Sequence, residues 1–277
     1  MALQRRKLGE DVTILAPKIK LKKIQKILQI DLKNIIVYDF YTNTDPKKFK
    51  KDFSSIVAWL KKIPNLENFD KIICDNLVEI LSRYPSSILS AQFFWHDIIK
   101  GTSKKYINFC EELLDQHKPQ ILGCRLFSMQ KVKDQLNFTP VKLYKNPKLL
   151  DYLKKSSVEN PRDLLITGGS TKLLHYKIKE IINKLLLEGQ GEYNHVYIDK
   201  ELMPLNPPSW ISGADFSLEM YSKIKSAICR PGLGVITDLL TVGAKITPIF
   251  EKNNDEMTHN ANVLNKLSKD LIHKNIR

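Results

Sequence analysis

Residues 229–249 read CRPGLGVITDLLTVGAKITPI. An apolar run, SAICR (226–230), enters a turn containing Pro231, Gly232 and Gly234. VITDLLTVG then has the apolar spacing of a short helix closed by Gly243, and KITPIF (245–250) resumes an extended pattern. Strand, glycine turn, helix, strand is the repeating unit of a parallel sheet covered by crossover helices. Gly232 and Gly234 clear the backbone at the positive end of that helix, where a phosphate gains roughly 0.5–2 kcal/mol before hydrogen bonds are counted. Asp238, about one turn into the helix, is spaced to accept the hydroxyls of a ribose. A plain tight turn would have the same sequence, so the flanking segments decide the reading.

Outward from this stretch, short apolar runs alternate with helical patterns along most of the chain. The first series of expected strands is 12–17, 34–41, 71–76, 87–95, 120–127 and 141–144; the second is 163–169, 195–199, 216–220, 226–230 and 245–250. Between the series, KNPKLLDYLKKSSVENPRD carries prolines at 147 and 161 around a Lys-Lys-Ser-Ser centre. The expected organisation is α/β with two Rossmann-like, doubly wound domains: an N-terminal domain over 1–147, a linker over 148–161 and a C-terminal domain over 162–277. ALQRRKLGE reads as the last turns of a helix ending at Gly9. The N-terminal domain is therefore expected to lack its first strand, an arrangement that leaves unpaired edges unless a partner subunit fills the gap.

Composition sets the class. With 277 residues, 43% of them hydrophobic, the chain can bury substantial cores. No apolar run reaches membrane-spanning length and no leader pattern is present, so a cytoplasmic protein is expected, with the inner face of a membrane as a possible station. The four cysteines are far apart and form no CxxC pair, which indicates neither a disulfide framework nor a zinc site. The net charge is +14, and the first sixty residues hold 13 Lys or Arg against 6 Asp or Glu. That excess favours anionic partners or an anionic membrane surface. Nucleic acid is disfavoured, because no aromatic-basic recognition motif accompanies the charge.

A second glycine turn, DLLITGGST, ends a predicted strand with Gly168, Gly169, Ser170 and Thr171 and leads into the helical pattern KLLHYKIKEIINKLL. Ser170 or Thr171 is the expected cap of that helix. After the opening stretch, EKNNDEMTHNANVLNKL places a polar loop, Glu251 to Glu256, before an amphipathic helix. Such a loop suits a hydroxyl-rich ligand, and it also suits plain solvent exposure.

The order GGST, RPGLGVITDLLTVGAK, DEMTHNANVL resembles the donor-binding domain of GT-B glycosyltransferases, in particular the family of the peptidoglycan N-acetylglucosaminyltransferase and the UDP-glycosyltransferases. That family reads roughly R-x-G-x-x-T-x-x-E-x-x-x-x-G-x-P and later (D/E)-Q-x-x-N-A, against Arg230, Gly232, Asp238, Gly243, Glu256, Asn260 and Ala261 here. The resemblance covers about 162–267. It implies that Gly169 and Ser170 lie near the nucleotide phosphates, that Gly232 and Gly234 carry the diphosphate and that Asp238 holds the ribose. Glu256 and Asn260 would lie beside the donor sugar or diphosphate. Met257 stands where the family has Gln, and the family's Gly-rich catalytic turn after the first strand has no counterpart.

In the first domain the candidates for a base acting on an acceptor hydroxyl are Asp75 in CDN and His96 and Asp97 in FFWHD, each at the expected C-terminal end of a strand. For His96 the plainer expectation is a satisfied histidine beside a core Trp95. No histidine pair has metal-ligand spacing and no Asp-x-Asp is present, so no metal and no cofactor are expected. By the resemblance, the function is transfer of a sugar from a nucleotide-diphosphate donor, a UDP-sugar, to a glycan or lipid-linked acceptor, with inversion. The alternatives are a sugar-nucleotide hydrolase or epimerase of the same fold, and a non-catalytic or split transferase subunit.

Overall fold

The computed structural model describes residues 9–16, 35–37, 60–61, 63–156, 160–169, 172–251 and 253–275. The chain divides into two compact units, one of residues 1–122 and 135–138, the other of 123–134 and 139–277. The expected helix over residues 1–8 lies outside the described residues.

In the first part of the chain β1 (Ile14–Ala16) pairs in parallel with β2 (Ile35–Val37). A separate sheet takes β3 (Ile73–Asp75), β4 (Ile88–Ser90), β5 (Ile121–Cys124) and β6 (Phe138–Val141) in chain order, with β3, β4 and β5 parallel. After β4 come the single turn α1 (Trp95–Ile98) and the longer α2 (Lys104–His117). The Ser103 side chain accepts the Tyr106 N–H at the start of α2, and Lys118, at φ 42°, ends the helix in the left-handed region. Tyr106, Cys110, Leu113 and Leu114 recur at helical spacing and form its buried face.

The second unit contains α3 (Gln130–Lys133), α4 (Pro147–Lys155), β7 (Asp163–Thr167), α5 (His175–Glu188), β8 (Val196–Ile198) and β9 (Ile211–Gly213). It continues through α6 (Leu218–Lys223), β10 (Ile224–Cys229), α7 (Leu233–Thr241), β11 (Lys245–Pro248) and α8 (Asp255–Asn275). The sheet order is β11-β10-β7-β8-β9, every pair parallel. Counted by appearance that is 5-4-1-2-3, the doubly wound order, with its switch point between β7 and β10. All five residues of β7 are buried, as a central strand covered on both faces must be. Leu165, Ala227 and Cys229 pack against Leu149, Tyr221 and Leu239 on one face. Leu164, Ile166, Val196 and Ile198 pack against Ile178 and Ile182 on the other.

Three expectations change. The run 216–220 is not a strand: Ser217 accepts the Met220 N–H and Asp215 accepts the Ser217 N–H, so capping starts α6 there, and the edge strand is β9, which ends at Gly213 ahead of that helix. Residues 141–144 contribute only Val141 to a strand, β6, which begins at Phe138. Most of the expected linker 148–161 is α4, whose Asn146 caps its own helix and whose Leu149 is fully buried in the second unit's core. Proline at N1 marks a helix start here as readily as a boundary.

Leu165 is fully buried at the centre of the sheet, so Leu165→Ala is expected to lower the unfolding free energy of this unit by about 2–5 kcal/mol in urea titration. Leu205→Ala, at a fully exposed position, is expected to leave it unchanged within about 0.5 kcal/mol.

Candidate functional site

At the switch point the strands β7 and β10 end side by side, Thr167 opposite Cys229. The chain leaves β7 into Gly168 and Gly169 and leaves β10 into Arg230, Pro231 and Gly232. Diverging crossovers leave an open crevice at this edge of a doubly wound sheet. The predicted donor-side residues that the structure describes come together here; Ser170 and Thr171 lie outside the described residues. The helix α5 itself starts at His175, with Leu174 in the N-cap position and no capping side chain.

The turn after β10 is tight. Gly232 N–H donates to Arg230 O at 2.7 Å, and the Arg230 side chain folds back so that its Nη1 would lie 3.4 Å from a Cβ placed on Gly232. Gly232 is the N-cap of α7 and no side chain caps that helix. The first N–H groups of α7, those of Leu233, Gly234 and Val235, therefore point out of the helix without intrahelical acceptors. Gly234 is exposed, and a Cβ there would meet nothing within 4 Å.

Asn260 is buried in α8 and donates to Pro231 O at 2.9 Å. It lies in the apolar stripe of Met257, Ala261 and Leu264, so it fastens the turn from beneath and is not presented to a ligand. Met257 is 1% exposed, so the position where the family resemblance has Gln belongs to the core. The preceding polar loop is also tied down: Tyr176 Oη donates to Glu251 at 2.9 Å, and Lys177 Nζ donates to Phe250 O at 3.1 Å. Glu251 is thus committed to the first turn of α5.

Three half-buried carboxylates stand at this edge. Burial pushes the Asp238 carboxyl above the usual range, opposed by an Asn146 amide that donates to it at 3.4 Å. Burial raises Glu256 likewise, against the attraction of the Arg230 guanidinium. Asp199, the first residue after β8, is raised by burial although Thr167, the Gly168 N–H and His175 all favour its charged form. Carboxyl groups that burial pushes toward the neutral form, beside specific charged or hydrogen-bonding partners, are a mark of functional sites. Asp163, also raised by burial, sits at the opposite end of β7. Neither Asp199 nor His175 was singled out from the sequence. The signal was the acidic residue closing the predicted strand HVYID, at the edge where both glycine turns lie.

In the first unit, His96 and Asp97 lie on α1 and are joined by Glu111 of α2. His96 Nε2 is 3.2 Å from Glu111 Oε1 and 3.7 Å from Asp97 Oδ1. The imidazole is stacked on Phe94 with ring centroids 5.4 Å apart. The aromatic core neighbour is thus Phe94, fully buried, and Trp95 is exposed, against the expectation of a core Trp95. The His96 side chain is 1% exposed while those of Asp97 and Glu111 are 21% and 41% exposed, so the carboxylates are the groups that solvent reaches. These three side chains also bring ligand-type atoms within 4.8 Å of one another, a grouping that histidine spacing alone did not reveal. Asp75 ends β3, exposed, and is not part of this group.

Solved structures similar to the chain include two glycosyl-transferring proteins. The glycotransferase of kitacinnamycin matches with a TM-score of 0.50 at 13% identity, over 92% of this chain and 77% of that one. MurG of Acinetobacter baumannii matches with a TM-score of 0.45 at 16% identity, over 98% of this chain and 85% of that one. No protein-family model matches the chain, and no curated protein sequence does. The fold, two α/β units built on parallel sheets, is that of the GT-B glycosyltransferases.

A carboxyl whose folded pKa is raised holds its proton more tightly in the folded state, so its contribution to stability falls as pH rises from the ordinary value through the folded one. Asp238→Asn is therefore expected to raise the melting temperature near pH 7, with a gain that shrinks as pH falls toward the ordinary carboxylate range and the Asp238 carboxyl takes up its proton. Thermal melts of the two proteins across that range check it; an equal or larger gain at pH 4 would contradict the assignment.

Proposed function

We propose that this chain transfers a sugar from a nucleotide-diphosphate donor, a UDP-sugar, to the hydroxyl of a glycan or lipid-linked acceptor. The observation that carries this reading is the switch-point crevice, where the uncapped start of α7, Arg230 and the half-buried Asp238 lie on one short segment. In this reading the diphosphate rests on the N–H groups of Leu233, Gly234 and Val235, and Asp238 accepts the ribose hydroxyls. Arg230, which attracts the Glu256 carboxylate, neutralises charge on the departing diphosphate. Charge compensation of this kind needs no metal ion. The family resemblance implies attack of an acceptor oxygen opposite the leaving diphosphate, so the reading carries inversion.

For deprotonation of the acceptor hydroxyl the reading takes Asp97 and Glu111 as the groups open to substrate, and His96 as their buried partner. Asp75 is the remaining candidate from the sequence. Among the described residues no helix is long and apolar enough to cross a membrane, and the excess of Lys and Arg suits an acceptor presented at an anionic surface.

A second reading, sugar-nucleotide hydrolysis or epimerisation on the same fold, is favoured by Met257. Its burial removes a side-chain hydrogen bond that the family resemblance places on the donor sugar. Product analysis with a labelled UDP-sugar separates the two, because transfer requires an added acceptor and the alternatives do not.

UDP at about 100 times its Kd is expected to stabilise the protein by about 2.7 kcal/mol, seen as a raised melting temperature. Asp238→Ala and, separately, Gly234→Asp are expected to abolish that shift, the second by placing a negative charge where the diphosphate sits, at a position with free space for the side chain. No shift with UDP or any other nucleotide would reject the reading.

A further inference from the structure

The two glycine turns at the switch point look equivalent in sequence and are wired differently. After β10 the α7 N–H groups are open. After β7 the first two amides of the turn are already engaged inside the protein: Gly168 N–H donates to Asp199 Oδ2 at 2.8 Å, and Gly169 N–H donates to Thr167 Oγ1 at 3.1 Å. The Thr167 hydroxyl in turn donates to Asp199. Thr167 is 1% exposed, so this relay is sheltered, while Gly169, at φ 66°, faces solvent at the crevice. An anion approaching the first turn therefore meets two amides without free protons and a carboxylate behind them.

We propose that Asp199 is a specificity-determining residue of this site: through Gly168 and Thr167 it keeps the Gly168 and Gly169 amides from a phosphate, and so favours the α7 turn for the diphosphate. The proposal rests on the donor reading given above, and departs from the role that the family resemblance implies for Gly169. Beside Gly168 and Gly169 the surface suits an uncharged, hydroxyl-bearing part of the donor, which tolerates a nearby carboxylate where a phosphate does not. The His175 imidazole, at the start of α5, supports the ionised form of Asp199. The choice of Asp is physically informative: an uncharged acceptor would hold the Gly168 N–H as well, without the cost of keeping a carboxylate ionised in a half-buried position.

The test uses inorganic pyrophosphate and UDP in isothermal titration at neutral pH, with the full chain. Gly234→Asp alone is expected to bind neither. Adding Asp199→Ala to Gly234→Asp is expected to restore pyrophosphate binding, at least about tenfold tighter than Gly234→Asp alone, because a like charge is removed and an amide is released. Asp199→Asn in the same background keeps an acceptor for Gly168 and removes only the charge; if the alanine variant does not fold, this variant carries the test with the same direction. A purely structural role for Asp199 yields loss of binding on substitution and never gain. The proposal is overturned if neither substitution increases pyrophosphate binding over Gly234→Asp. It is also overturned if Gly234→Asp alone binds pyrophosphate as the unaltered protein does. Failure of the donor reading is seen separately, as an unaltered protein that does not bind UDP.

Discussion

The parallel pairing of β7 with β10 is the constraint on which the rest of the second unit depends. Because β10 returns to the far side of β7 from β8, the crossover helices leave in opposite directions and the strand ends cannot be covered by the sheet's own connections. The same pairing sets Thr167 beside Cys229, which brings two glycine turns within one crevice although they are about sixty residues apart in the chain. A strand buried on both faces, as β7 is, also anchors the crevice to the most rigid part of the core.

Around that crevice the polar groups fall into two classes. Asn260 under Pro231, and Tyr176 and Lys177 under the loop at residues 250–251, spend their hydrogen bonds on the backbone and side chains that shape the site. Asp199, Asp238 and Glu256 add carboxyl groups that burial pushes toward neutrality, Asp199 while accepting the Gly168 N–H and Asp238 while accepting the Asn146 amide. A fold selected for stability alone gains nothing from such groups, and their grouping at one sheet edge is the observation on which the proposed donor site rests.

The alternation of apolar runs with helical spacing made the parallel α/β organisation legible, and Arg230 to Gly243 could be placed on strand, turn and helix because glycine and periodicity act locally. What escaped the sequence was set by partners far along the chain. Residues 216–220 have strand-like apolar character, but Ser217 and Asp215 cap a helix there. Pro147 reads equally as linker and as helix start, and only burial of Leu149 decides. Asn260 matched a family motif by type, yet its hydrogen bond to Pro231 makes it a structural clamp. Asp199 was hidden for the opposite reason: a lone acidic residue after a strand is unremarkable until the fold sets it against Gly168. In the first unit, Glu111 joins His96 and Asp97 from a different helix, a meeting that no spacing within FFWHD encodes.

The central claim, that a nucleotide diphosphate rests on the start of α7, is tested most directly by backbone-amide NMR of the full chain titrated with UDP. The account predicts that the amide resonances of Leu233, Gly234 and Val235 move in concert on saturation, as N–H groups that gain a charged acceptor do, while the amide of Gly168, already bonded to Asp199, stays close to its unliganded position. A titration that leaves the three α7 amides in place, or that moves Gly168 as the principal response, would contradict it.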